Sequence, residues 1–181
     1  MAGIARRFGV TLTRLIAQNP HIPNSNVLYP GDILCIPGAV RRPCCAVLSI
    51  AASAPPLPLE ASGAVLVDEV PAGYETVAIM AINLPPPSQF GRYGGYQAVI
   101  ETMARAGPYS FRLFQPGPPA EPGAVSLPPT WSGMTTIPSV LTPQTRVSVR
   151  PFGPFTGEQG PAILEANLGA CLAASGRRPG E

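Results

Sequence analysis

Proline and glycine recur at short intervals along most of this chain, and their spacing limits the folds that it can adopt. The 181 residues include 25 prolines and 19 glycines. Proline interrupts helices and central strands, and glycine weakens both, so long helical bundles are excluded. Yet 45% of the residues are hydrophobic, whereas a disordered chain is poor in apolar side chains. The sequence therefore predicts a folded, turn-rich protein that is long enough to bury a core.

Charged residues are few, and their types restrict the chemistry. All 12 basic residues are arginines, and the net charge of +2 is too small and too scattered to indicate a nucleic-acid surface. His21 is the only histidine and Asp32 and Asp68 are the only aspartates, which argues against a multi-histidine metal site and most hydrolytic chemistry. No apolar stretch reaches the length of a membrane span. We expect no metal, cofactor, nucleic-acid or membrane partner.

Residues 1–38 contain the only helical periodicity. Apolar residues recur there at spacings of three and four, which predicts two short helices with one apolar face each; they are Ile4, Phe8, Leu12, Leu15 and Ile16.

The ends of these helices are also marked in the sequence. Gly9 is placed to end the first helix, Thr11 to cap the second, and Asn19-Pro20 to terminate it. A polar loop follows, then a YPGD turn at residues 29–32 and a predicted short strand at residues 33–36.

The run IARRFGVTLTRLIAQNPHIPNSNVLYPGDILCIPG, residues 4–38, resembles a LysM module. The resemblance rests on the order of the FGV helix end, the NP helix end, the Asn-containing loop and the YPGD turn. It implies a small βααβ domain that binds glycans containing N-acetylglucosamine, such as peptidoglycan or chitin. It also implies half of a glycan groove, formed by Asn24, Ser25, Asn26, Val27 and Leu28, although Asn24 and Asn26 also suit an ordinary turn.

The sequence departs from the LysM pattern at its start, because a complete module begins with a strand and here the chain begins at the first helix. The strand at residues 33–36 would then lack its partner and expose unpaired backbone groups. Three explanations stay open: the native chain begins upstream, another part of this chain supplies the strand, or a neighbouring molecule supplies it.

The remainder of the chain predicts a mainly β protein. We divide it into the module at 1–38, a Cys- and Pro-containing connector at 39–62, a β-sandwich of jelly-roll or immunoglobulin-like type at 63–174, and a tail at 175–181. Short segments bounded by Pro/Gly turns are typical of such a sandwich. The predicted strands are 44–50 in the connector and 64–70, 75–84, 96–106, 109–115, 145–151 and 162–172 in the sandwich, with a long surface connection between 115 and 131.

Four cysteines are candidates for disulfides: Cys35, Cys44, Cys45 and Cys171. Cys44 and Cys45 cannot easily bond to each other because a vicinal bridge is strained. Buried thiols are one interpretation. The other is cross-linking, with the Cys44-Cys45 pair bonded to Cys171 or to neighbouring subunits.

Few residues suggest catalysis. Four glutamates on predicted strands could form a glycosidase pair, but charged residues usually lie on the wet face of a strand; they are Glu69, Glu75, Glu101 and Glu165. Ser132 lacks a plausible base. Trp131, Tyr93 and Tyr96 could form a sugar-stacking platform, although packing is the favoured interpretation.

Together these features predict a non-catalytic bacterial surface protein, extracellular and located on the cell wall or the spore surface. Its layout is loosely similar to that of endospore appendage subunits, which suggests a self-assembling filament or coat subunit joined to copies of itself by strand pairing and disulfides. The alternative is a peptidoglycan- or chitin-binding adaptor, or the targeting fragment of a wall-remodelling enzyme.

Overall fold

The computed structural model describes residues 1–8, 10–29, 32–36, 43–58, 60–70, 72–103, 107–115, 129–169 and 172. Two short helices come first, and antiparallel strands make up most of the rest, so the predicted mainly β fold is confirmed. The helices are α1 (Ala2–Phe8) and α2 (Leu12–Ala17). The strands are β1 (Cys44–Ile50), β2 (Ser62–Val70), β3 (Tyr74–Ile82), β4 (Gly95–Glu101), β5 (Tyr109–Leu113), β6 (Thr130–Pro138), β7 (Arg146–Phe152) and β8 (Leu164–Asn167).

All eight described strands belong to one continuous antiparallel sheet, in the order β5-β4-β7-β8-β1-β2-β3-β6. Strand β1, which falls in the predicted connector, lies inside the sheet and joins its two halves by pairing with β2 and with β8. The sheet curls until its two edge strands meet, where the backbones of Phe114 and Ser132 exchange two hydrogen bonds of 2.8 and 2.9 Å. This curvature encloses the core.

Several strand boundaries differ from the predicted ones. Strand β8 is much shorter than the predicted segment 162–172, because the side chain of Asn167 accepts a hydrogen bond from the Gly169 amide and the chain turns there. Strand β4 ends at Glu101, and residues 104–106 of the prediction lie outside the described residues. Strand β6 was not predicted at all, since Gly133 and flanking prolines obscure its alternation.

The main core lies between the two halves of the curled sheet. Leu48, Val65, Ile79 and Leu164 are almost completely buried there, as expected for the alternating inward positions of strands with one wet face. Tyr96 is also buried, and its ring meets that of Trp131 edge-on at a centroid distance of 5.0 Å. Trp131 and Tyr96 therefore pack in the protein and do not form an open sugar platform.

A smaller apolar cluster holds the two helices. Ala5 and Leu15 are buried in it together with Met1 and Ile22, and Met80 of β3 packs into the same cluster from the sheet. The predicted cap of α2 is confirmed, because the hydroxyl of Thr11 accepts a hydrogen bond from the Arg14 amide at 3.2 Å. The predicted helix end at Gly9 lies outside the described residues. Met80 thus links the helical module to the sheet.

Candidate functional site

The segment 32–36, which follows the loop after α2, is not a strand, so that prediction was wrong. Side chains replace a partner strand along one of its edges. The side-chain nitrogen of Asn19, Nδ2, donates to the Cys35 carbonyl at 2.8 Å, and the side-chain oxygen, Oδ1, accepts from the Cys35 backbone amide at 2.6 Å. The same amide nitrogen also reaches the Leu15 carbonyl at 2.6 Å. Asn19 therefore ties the segment to the end of α2.

His21 binds the same segment two residues earlier, at Ile33. Its Nε2 lies 2.7 Å from the carbonyl oxygen of Ile33, and the ring is fully buried. A carbonyl can only accept, so Nε2 carries the proton and donates. The other ring nitrogen, Nδ1, is buried and has no hydrogen-bond partner among the described residues. Burial lowers the pKa of His21 more than the bond to Ile33 and the nearby Asp32 carboxylate raise it. His21 is thus a neutral structural residue, and it was predicted only as part of a loop.

The predicted glycan loop forms a tight turn beside this clamp. The Asn24 side chain accepts a hydrogen bond from the Asn26 amide at 3.0 Å, and the Asn24 carbonyl accepts one from the Val27 amide at 3.1 Å. The amino group of Met1 donates to the Ser25 carbonyl at 2.8 Å. These bonds give the loop one shape without help from a ligand.

The exposure of the five predicted groove residues is uneven. Asn24 and Asn26 are exposed, Val27 is 40% exposed, and Ser25 is half-buried. Leu28 packs against the small apolar cluster, so its side chain supports the loop and does not face a ligand. The loop therefore offers amide groups and one apolar side chain, which suit the hydroxyl, N-acetyl and apolar faces of an amino sugar.

Sequence reasoning did not identify two contributors to this site. Tyr29 follows the loop, is 45% exposed, and its amide donates to Asp32 Oδ2 at 2.8 Å. The Tyr29 carbonyl also accepts from the Asp32 amide at 3.1 Å, as expected for the predicted turn. Asn19 was assigned only a helix-ending role. Its bonds to Cys35, 16 residues away, leave no local pattern in the sequence.

The cysteines contribute a covalent tie to the module. Cys35 of the clamped segment and Cys45 of β1 form a disulfide with a Cα–Cα distance of 5.1 Å. Cys44 is also disulfide-bonded. Cys171, the fourth cysteine of the sequence, lies outside the described residues. The Cys35–Cys45 bond lies within one chain and attaches the module to the sheet.

The residues considered for catalysis do not form a cluster around the module. Glu69 and Glu101 are exposed, as predicted for a wet strand face. Glu75 was wrongly assigned to that face: it is 1% exposed, and its carboxylate accepts a hydrogen bond from the Leu141 amide at 3.2 Å, which anchors the turn after β6. Ser132 lies at the β5–β6 contact. Among the described residues no group of three His, Cys, Asp or Glu side chains is placed to hold a metal.

No helix in the described ranges is both long and apolar enough to cross a membrane.

Comparison with known proteins divides the chain in two. The LysM domain profile matches residues 1–37, as the sequence motifs indicated. A LysM domain is a peptidoglycan-binding module and implies association with the cell wall. The rest is covered by a second profile, described as "SPbeta prophage-derived uncharacterized protein YoqH", which matches residues 40–172. No solved structure matches the chain.

One curated relative is the SPbeta prophage-derived uncharacterized protein YoqH of Bacillus subtilis (strain 168). It is 31% identical over 95 residues, which cover 52% of this chain and 58% of the relative. The match thus spans little more than half of either protein. Because the YoqH profile covers well over half of the sequence, this chain belongs to the YoqH family and carries a LysM domain at its N-terminus.

Proposed function

We propose that this is a non-catalytic cell-wall protein whose LysM module binds a glycan containing N-acetylglucosamine through the loop from Asn24 to Leu28. The observation that carries the proposal is the pre-formed, exposed Asn24–Asn26 turn, which is held by its own hydrogen bonds and by the Met1 amino group. A loop that is already ordered loses little conformational entropy when it binds. The β domain, joined to the module by the Cys35–Cys45 disulfide, is the part that the module attaches to the wall.

Asn26 provides the sharpest test of this site. Its backbone amide forms the turn, whereas its side chain makes no hydrogen bond with another described residue. Asn26→Ala therefore leaves the turn intact and removes one amide group from the proposed groove. We expect affinity for a chitin oligosaccharide, measured by titration calorimetry, and retention on purified peptidoglycan to fall by about tenfold, the typical effect of one lost hydrogen bond to a bound ligand.

Gln89→Ala is the matched control, because Gln89 is an exposed amide in the 3-10 turn at Pro87–Phe90, which is not part of the module. It should bind as the unaltered protein does. Failure of the unaltered protein to bind either glycan would contradict the proposal, and so would equal binding by the Asn26→Ala variant.

Self-assembly remains the second proposal, and one observation favours it. Strands β5 and β6 pack closely at Gly133. Among the described residues, however, the only β-bridge between these two edges is Phe114–Ser132, so neither outer edge forms a continuous ladder with another described strand. Open edges of this kind accept further strands. Regular polymers in electron micrographs would support a subunit role, and a monomer in size-exclusion chromatography at high concentration would contradict it. Cys35 and Cys45 are not expected to join copies, because they bond to each other.

A further inference from the structure

A polar cavity lies on the outer face of the sheet, where β1 and β8 separate. The two strands pair only at Ser49–Glu165 and Ile50–Leu164. Beyond Ser49–Glu165 the ladder stops, and a cavity of about 340 Å³ opens between the strands and β7. Its lining residues are Val47, Ser49, Arg146, Glu165, Ala166 and Asn167.

Two opposite charges face this cavity without neutralising each other. Within the described residues, the side chains of Arg146 and Glu165 make no hydrogen bond and no ion pair. The same sheet face offers a contrast, because Arg150 and Glu101 pair there directly at 3.1 Å. A cation and an anion that line one cavity while staying apart leave both groups available to a ligand.

Two neutral groups complete the lining. The Asn167 side-chain oxygen accepts a hydrogen bond from the Gly169 amide at 2.7 Å, so its amino group is the part still free to donate. The Ser49 hydroxyl can donate and accept. No aromatic ring of a described residue lines the cavity, and aromatic rings are the surfaces on which a sugar ring commonly stacks.

We propose that this cavity binds the zwitterionic head group of an α-amino acid. The ligand's carboxylate would pair with the guanidinium of Arg146, with Asn167 donating to it, and its ammonium group would pair with Glu165. Ser49 lies on the β1 side and contributes a hydroxyl to either group. The volume falls at the lower end of the range for small-molecule sites, roughly 300–1,000 Å³, and so suits a single amino acid.

Cell-wall peptides provide such head groups where a diamino acid is not cross-linked. The inference rests on the proposed function only in taking the cell wall as the source of the ligand. The protein would then contact the wall twice, through the glycan at the module and through the peptide at the sheet.

Titration calorimetry with the full chain and meso-diaminopimelic acid tests the cavity. We expect saturable binding of the free compound and no binding of its di-N-acetyl derivative, which lacks the ammonium groups. Arg146→Gln and Glu165→Gln should each raise the dissociation constant about tenfold or more, since each removes one charge-assisted contact. Arg92→Gln, an exposed arginine outside the strands, is the matched control and should leave the constant unchanged.

Binding of L-alanine distinguishes two sources of the head group, the diamino acid of the cell wall and free amino acids in general. Weaker binding of alanine than of diaminopimelic acid would identify the wall diamino acid, and equal binding would identify free amino acids in general. Absence of saturable binding at millimolar concentrations would overturn the proposal, as would undiminished binding by both cavity variants. Because glycan binding is measured separately with Asn26→Ala, failure of one site is distinguishable from failure of the other.

Discussion

At the scale of single residues, His21 has two ring nitrogens in unlike surroundings. Nε2 donates to the Ile33 carbonyl, whereas Nδ1 is buried and has no partner in the part of the chain that the structure describes. Protonation would bury a second N–H for which the described residues offer no acceptor, and an unsatisfied buried donor is costly. The neutral ring is therefore the form that the folded module accepts.

Acidification is expected to destabilise the module through this residue. The folded pKa of His21 lies below the ordinary value of 6.5, so below that pH the unfolded chain binds a proton that the folded chain does not. The contribution of His21 to the free energy of unfolding is therefore fully present well above pH 6.5 and is lost progressively as the pH falls below it. Between about pH 7.5 and about pH 5 the loss should reach as much as about 2 kcal/mol in urea unfolding.

His21→Gln is the control, because it removes the only histidine of the sequence. It should be less stable at neutral pH, since it disturbs the bond to Ile33, but its stability should change less over the same pH interval. An unchanged pH dependence in this variant would assign the effect to other groups.

Residues also show how far the sequence could be interpreted. Thr11 was correctly predicted as a cap because its partner lies three residues away, at Arg14. The hydrogen bonds of Asn19 to Cys35 and of Glu75 to Leu141 could not be predicted, because the partners are distant in sequence. A side chain that bonds to a remote backbone leaves no local pattern.

At the scale of elements, the contact between β5 and β6 decides how the sheet closes. A Cβ atom built on Gly133 of β6 would lie 2.6 Å from the Arg112 carbonyl oxygen and 3.0 Å from a methyl carbon of Leu113. Only glycine lets the two edges approach so closely. Gly133, which obscured the alternation of β6 in the sequence, is thus required at this close contact between the strands.

Gly133→Ala should therefore loosen the contact and lower the free energy of unfolding by about 1–3 kcal/mol, the usual range for overpacking. Gly95→Ala is the matched control on β4, because a Cβ there would meet nothing within 4 Å. Chemical unfolding of the two variants side by side measures the difference. Equal effects would mean that the loss comes from glycine replacement in a strand and not from the close approach.

At the scale of the whole molecule, the module and the sheet are joined in two ways. The Cys35–Cys45 disulfide connects the clamped segment to β1. Met80 of β3, 5% exposed, packs into the apolar cluster of the module beside Met1 and Leu15. The module and the sheet are therefore held together both by a covalent bond and by an apolar contact.

Met80→Ala should lower the free energy of unfolding by about 2–4 kcal/mol, because it leaves a cavity where the two units meet. Met134→Ala is the control on the adjacent strand β6, where the side chain is 70% exposed, and should change stability by less than about 0.5 kcal/mol. Urea unfolding followed by circular dichroism distinguishes them. A neutral effect of Met80→Ala would show that the apolar contact does not couple module and sheet.

The sequence by itself determined the LysM module, its helices and capping residue, the mainly β body and the position of β1, because each depends on neighbouring residues: apolar spacing, turn residues and caps. Only the tertiary structure decided that Asn19 and His21 hold the segment 32–36 in place of a strand, that β6 closes the sheet and that Cys35 bonds to Cys45. The cavity between β1 and β8 also belongs to this second group. These features join residues far apart in the chain, and the pairing of distant backbone groups depends on register and curvature that no local pattern encodes.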